Sequence, residues 1–354
     1  MNRLVVRAPN HLGELVLSFP ALERVAAEER LAGRPIPLVH IVSWLVPVLQ
    51  LAIPELDVLQ LDNRHAVRRA ARALRAAADG FSLRGVTLTP SFGSALILRL
   101  AGVTALRGTA GDFRTWLLTD ALSREPLLAG HRVDEYLTLL GFTPDEAPPP
   151  PVIRNSEMAV TAWEAAVQRL ELRLGAGPVD GPVVGIFPGA NGMSRRWPSD
   201  RFGELAARLA PRSRNLLVFG GPGDASLTSQ VAQRAGERGF DLGGRTSLLE
   251  LAGGLLSCDL LVTNDTGPMH LAAALGVPVL ALEGPADVHQ TRPLGSRVRL
   301  VGRFDLPCVP CVKNECPRSG SGYELADASR ECLRLIDVDE VEAAARSMMN
   351  EETE

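Results

Sequence analysis

Asp265, Thr266, Gly267 and His270 set a carboxylate, a hydroxyl, an unhindered backbone and an imidazole along one short span, where an apolar run gives way to a helix. The run Leu260 to Thr263 reads as a buried strand, and Met269, Leu271, Ala272, Ala273, Ala274 and Leu275 suit a helix. Pro268 fits the first turn, where its missing N–H has no partner to lose, and Gly276-Val277-Pro278 stops the helix. Asp265 or Thr266 can cap it. Unpaired N–H groups at such a start attract an anion, and a diphosphate is the common one in α/β proteins. Taken alone, a structural cap beside a core histidine explains the stretch equally well.

Three other loops carry comparable chemistry. In Pro9 to Glu14, Gly13 permits a tight turn and Glu14 presents a carboxylate at a helix start, where it can serve as a general base or merely complement the helix dipole. Asn10 and Gly13 of this loop are expected to line substrate. In Phe187 to Pro198, the adjacent Arg195 and Arg196 can neutralise the diphosphate of a leaving nucleotide, or stand as surface charges. In Gly220-Gly221-Pro222-Gly223-Asp224, Gly221 gives a turn and Asp224 can accept bonds from ribose hydroxyls.

Positioning these loops requires strands that end at them. Leu4 to Arg7, Val39 to Ser43, Val58 to Leu61, Val86 to Thr89 and Ala105 to Arg107 read as strands. Between them lie helices over Leu15 to Glu29, Val67 to Ala78 and Ser94 to Ala101. A helix near Asp134 to Gly141 precedes four prolines, Pro148 to Pro151, a stiff spacer. A second set follows: strands Val183 to Phe187 and Leu216 to Phe219, and helices Asp200 to Leu209, Ala225 to Glu237 and Ser247 to Leu256. Such alternation argues for parallel sheets covered on both faces. There is no G-x-G-x-x-G after the first strand, which disfavours a dinucleotide fold. The predicted domains are 1–147, a linker at 148–154, and 155–335, with a helix in 336–354 able to pack back on the first domain.

A chain of 354 residues, 46% hydrophobic and 22% charged, is too long for one ordinary core and too polar for a membrane protein. No apolar run reaches the length of a span, and the first ten residues lack a signal-peptide pattern, so a cytoplasmic protein able to touch a membrane surface is expected. The net charge of −4 gives no global reason for nucleic-acid binding. Lys313 is the only lysine among 37 basic residues. Arg64, Arg68, Arg72 and Arg75 share a helical face with Arg69 beside them, a solvated face or a patch for an anionic acceptor or lipid headgroup.

Taken together, Ala8-Pro9-Asn10-His11-Leu12-Gly13-Glu14 with Phe19-Pro20-Ala21-Leu22, Pro188-Gly189-Ala190 with Arg195-Arg196-Trp197-Pro198, and Asp265-Thr266-Gly267 with His270, Ala272, Ala273 and Ala274 resemble the ADP-heptose:lipopolysaccharide heptosyltransferases, glycosyltransferase family 9. The resemblance covers most of the chain. It implies a GT-B architecture, two Rossmann-like α/β domains with parallel sheets facing a central cleft. It implies inverting, metal-independent transfer of heptose from ADP-heptose to the lipopolysaccharide inner core, with no cofactor. By position, Glu14 would be the base, and Arg195 and Arg196 would stabilise the diphosphate. Thr266 and Gly267 would bind phosphate, and Asp265 would hold the donor sugar with His270 nearby. The family has aspartate where this chain has Glu14 and lysine where it has Arg195. The extra methylene displaces the base by ~1 Å, a distance that matters to catalysis. A non-catalytic nucleotide-sugar-binding homologue and a sugar-nucleotide epimerase or hydrolase are the competing readings.

Cys308, Cys311, Cys316 and Cys332 form a cluster whose spacing suits a tetrahedral metal site, a disulfide or free thiols holding a loop. A similar cysteine run occurs in the heptosyltransferase II type of the family.

Overall fold

The structure, a computed structural model, describes residues 2–61, 66–174, 181–317 and 330–350. It divides into two compact units, Met1–Ile153 and Arg154–Glu354, and the division falls inside the proline-rich stretch.

Each unit is built on one parallel sheet of six strands. In the first these are β1 (Asn2–Arg7), β2 (Leu38–Val42), β3 (Asp57–Leu61), β4 (Ser82–Thr87), β5 (Ala105–Thr109) and β6 (Asp120–Leu122), in the order β3-β2-β1-β4-β5-β6. In the second they are β7 (Val183–Phe187), β8 (Asn215–Gly220), β9 (Gly239–Gly243), β10 (Leu260–Asn264), β11 (Val279–Glu283) and β12 (Val298–Gly302), in the order β12-β11-β10-β7-β8-β9. Both orders are the doubly wound one of dinucleotide-binding proteins, although the glycine fingerprint is absent. That fingerprint reports a phosphate turn, and its absence had no bearing on strand order.

The order reverses between β1 and β4 in the first unit and between β7 and β10 in the second. Ligands bind at the carboxyl ends of strands flanking such a reversal. Register fixes who stands there: Arg7 pairs with His40 and with Thr87, and Asn264 pairs with Leu282, so Asp265 and Glu283 come next on neighbouring strands.

Local structure departs from the sequence expectation in several places. The helix expected over Leu15 to Glu29 is two, Leu12–Leu17 and Phe19–Leu31, because Pro20 has no N–H to continue the ladder. Gly13 therefore lies inside a helix rather than in a turn. The short strands β6, β9 and β12, and the helix Glu157–Arg169, were not anticipated. That helix packs on Leu248–Leu256, where a Cβ on Gly253 would meet the Ala159 carbonyl at 2.1 Å. The helix Val338–Asn350 lays Val341, Ala345 and Met348 into the core of the second unit.

Candidate functional site

In the first unit the site is assembled around Arg7, at the end of β1 and 1% exposed. Its guanidinium donates to the carbonyls of Ala8 at 2.6 Å and His40 at 3.0 Å, and to Asn10 Oδ1. Among the described residues no carboxylate joins it, and burial lowers its pKa to about 10. Asn10, expected to contact substrate, thus spends its oxygen on bracing its own loop. His40 is fully buried, and burial, then the neighbouring Arg7 charge, depress it to about 3, so it stays neutral.

Glu14 stands in the first turn of the helix Leu12–Leu17. Tyr136 donates its hydroxyl to Glu14 Oε2, and Arg132 Nε lies 3.6 Å from the same oxygen. Arg132 also pairs with Glu135. Burial works against the charge of Arg132, but Glu14 and Glu135 outweigh it and raise its pKa. Among the described residues Oε1 of Glu14 accepts no hydrogen bond, so one oxygen is fixed and the other is available to a substrate proton. Arg132 and Tyr136 were missed because only their spacing on Arg132–Leu140, one helical turn apart, marked them.

In the second unit the loop after β7 and the start of the helix after β10 face each other across the strand reversal. Asn264 ties them: its Oδ1 accepts from the Trp197 N–H at 2.9 Å and its Nδ2 donates to the Pro188 carbonyl at 2.8 Å. Arg195 Nη1 lies 3.1 Å from Asp265 Oδ2. That approach is an ion pair by distance only, since Asp265 Oδ2 accepts no well-aligned hydrogen bond. Arg196 Nε donates to the Ala190 carbonyl at 2.7 Å, and its Nη2 lies 3.1 Å from Asp224. Asp224 also accepts from the Gly221 N–H at 3.2 Å. Asp224, able by sequence to accept from ribose, stands against Arg196, with Gly189 so close that a Cβ there would meet the carboxylate.

Thr266 is the N-cap of Gly267–Ala274 in extended conformation, and its side chain makes no capping bond. The hydroxyl and the Gly267 backbone therefore remain at an uncapped helix start, which favours an anion. His270 is buried on this helix. Glu283, at the end of β11 and 1% exposed, adds a second buried carboxyl beside Asp265. Desolvation, then the Asp265 charge, push its pKa well above the usual range. It was missed because a lone acid in an apolar strand has no motif.

Cys308, Cys311, Cys316 and Cys332 do come together, lining one small cavity with Ser194. All are free thiols, and among the described residues no group of three or more His, Cys, Asp or Glu is disposed to hold a metal ion. The cysteine loop braces the arginine loop: the Ser194 N–H donates to the Asn314 carbonyl at 3.1 Å, and its hydroxyl donates to that of Lys313. On the expected basic face, Arg68, Arg69 and Arg72 are exposed, whereas Arg75 donates to the Leu100 carbonyl at 2.8 Å; Arg64 lies outside the described residues.

Residues 67–321 match the family model of glycosyltransferase family 9 (heptosyltransferase). The chain is similar to lipooligosaccharide heptosyltransferase 2 of Campylobacter jejuni, 33% identical over 38% of this chain and 44% of that protein. It is also similar to lipopolysaccharide heptosyltransferase 2 of Escherichia coli, 27% identical over 84% of this chain and 87% of that protein. The solved structure of ADP-heptose lps heptosyltransferase II of E. coli superposes with a TM-score of 0.79, at 23% identity, covering 99% of this chain and 100% of that one.

Proposed function

The chain belongs to glycosyltransferase family 9, and from that premise we propose that it moves a heptose from ADP-heptose to a hydroxyl of the lipopolysaccharide inner core, with inversion and without a metal. The observation that carries the reading is the divided carboxylate of Glu14. Oε2 is held by Tyr136 and Arg132, and Oε1 takes the proton of the acceptor hydroxyl as that oxygen attacks the anomeric carbon. Attack opposite the departing ADP inverts the centre. Arg195, Arg196 and the uncapped start of Gly267–Ala274 offset the charge that builds on the diphosphate, the work a metal ion does elsewhere. Asp265 and His270 stand beside that start and contact the donor, and Gly221 with Asp224 borders its nucleoside.

The extra methylene of Glu14 is matched by its surroundings. Tyr136 and Arg132 meet the carboxylate where glutamate, not aspartate, brings it.

ADP, UDP, GDP and CDP, each offered well above any expected dissociation constant, test the donor. ADP alone is expected to raise the second unit's thermal transition, because ligand at a hundred times its dissociation constant adds ~2.7 kcal/mol. Purified protein is then expected to transfer heptose from ADP-heptose to heptose-deficient lipopolysaccharide. Stabilisation by a different nucleotide, or donor consumption without acceptor, would overturn the reading.

The acceptor is a lipid, and we propose peripheral contact with the inner membrane surface. Phe113, 94% exposed, and Trp116, 71% exposed, follow β5, and Trp116 lies tilted against Phe92 with ring centroids 6.1 Å apart. Amphipathic aromatic rings favour the headgroup level of a bilayer. Replacing Phe113 and Trp116 by serine is expected to abolish co-sedimentation with vesicles containing lipopolysaccharide while ADP binding persists. Undiminished sedimentation would remove this surface from consideration.

A further inference from the structure

Asp265 and Glu283 follow paired positions of β10 and β11, are 5% and 1% exposed, and among the described residues have one cation, Arg195, facing them. The Glu283 side chain makes no hydrogen bond among the described residues, and its Oε2 is buried without a partner. Asp265 Oδ2 and Arg195 Nε are buried without one as well. Two carboxyls in low dielectric beside a single positive charge cannot both be ionised cheaply. The Arg195–Asp265 approach of 3.1 Å is poorly aligned, so Arg195 is loosely tethered.

We propose that Asp265 and Glu283 share one proton in the free protein, and that the donor diphosphate, by drawing Arg195 to itself, makes the pair take up a second proton from solvent. The buried pair thus couples donor binding to proton uptake. The inference rests on the reading that Arg195 serves the donor diphosphate.

The balance is simple. Before binding, Arg195 carries +1 and the pair −1. After binding, Arg195 is neutralised by the diphosphate, and the buried −1 left on the pair is cancelled by the incoming proton. Desolvation raises both carboxyls, and each acts on Arg195 or is acted on by it. His270, buried on Gly267–Ala274, is the titratable side chain on the helix after Asp265, and it is retained when the two carboxyls are replaced.

The test is isothermal titration of ADP-heptose into the full chain, without acceptor, at pH 7 in HEPES and in Tris. These buffers differ in ionisation enthalpy, so the difference in heat counts protons. ADP-heptose is the probe because its diphosphate is esterified at both ends and has no group titrating near neutrality. The wild type is expected to take up close to one proton per site. The double variant Asp265→Asn/Glu283→Gln, which has no carboxyl left to protonate, is expected to take up almost none, whereas Glu283→Gln alone leaves Asp265 to take the proton. The dissociation constant of the wild type is expected to rise with pH, approaching tenfold per unit, a measurement that requires no variant to fold. Binding with no proton uptake and a pH-independent constant would overturn the proposal and leave the donor reading intact. Equal uptake by wild type and the double variant would overturn it too. Absence of any heat or thermal shift would overturn the donor reading itself, and this inference with it.

Discussion

The two units share a strand order and bury opposite charges at and beside its reversal. The first unit buries Arg7 at the end of β1 and Arg114 in the loop after β5, 1% and 0% exposed, held by carbonyl, amide and hydroxyl oxygens with no acid paired to them among the described residues. At the ends of β10 and β11 the second buries Asp265 and Glu283 around one arginine. Topology therefore supplies the place and leaves the chemistry to the loops. The first unit keeps its carboxylate, Glu14, partly exposed and half held, as a proton acceptor requires. The second keeps its arginines paired to acids, from which a diphosphate can recruit them.

The sharpest way to break this contrast is to disable each unit separately. Glu14→Gln is expected to lower kcat by ~10²–10⁴ while ADP binding stays within about twofold, because it removes only the base. Arg195→Ala is expected to cost ~10²–10³ in turnover and to weaken ADP as well, since the diphosphate is charged before and after transfer. Paired transfer kinetics and ADP titrations decide it. A Glu14→Gln protein that loses ADP binding would abolish the division of labour.

How much of this was legible follows the same line. The fold was readable because parallel strands buried on both faces must be apolar throughout, as Leu260 to Thr263 is. Strands such as β9 and β12 were lost because they run along sheet edges and are only half buried. Arg195, Asp265 and Thr266 sat in loops whose glycines and charges announced them. Tyr136 did not, since a tyrosine on an amphipathic helix looks like core until Glu14 is placed against it, 122 residues away in sequence. Asp224 shows the converse: its motif suggested a free acceptor, and only the fold revealed Arg196 as its partner.

A smaller effect sharpens the description of Glu14. Tyr136→Phe removes the hydroxyl that fixes Oε2 and leaves the ring in place. Losing one hydrogen bond to a charged group, worth ~1.5–3 kcal/mol, is expected to lower kcat about tenfold with the donor KM unchanged. Glu14→Asp is expected to lose at least as much, because the shorter side chain withdraws from both Tyr136 and Arg132. If Glu14→Asp were faster than the parent, the surroundings would not be built for glutamate.

The gentlest probe is pH, and here the two units should respond with opposite sign. His40 is depressed to about 3 by burial and by Arg7, so the unfolded chain binds its proton first as pH falls. Its contribution to stability is complete above an unfolded pKa of ~6.5 and is lost toward 3, at up to ~1.4 kcal/mol per pH unit. Glu283 is raised by burial and by Asp265, so the native state holds a proton that the unfolded chain has released. Stability from this group is full below an unfolded pKa of ~4.3 and declines as pH climbs through the raised native value. Differential scanning calorimetry between pH 5 and 8, resolving the two units' transitions, reads both. His40→Phe is expected to flatten the acid-side fall of the first transition, and Glu283→Gln the alkaline-side fall of the second. If either substitution shifted its transition equally at every pH, it would have changed packing alone, and the opposite burial of charge would have no thermodynamic consequence in that unit.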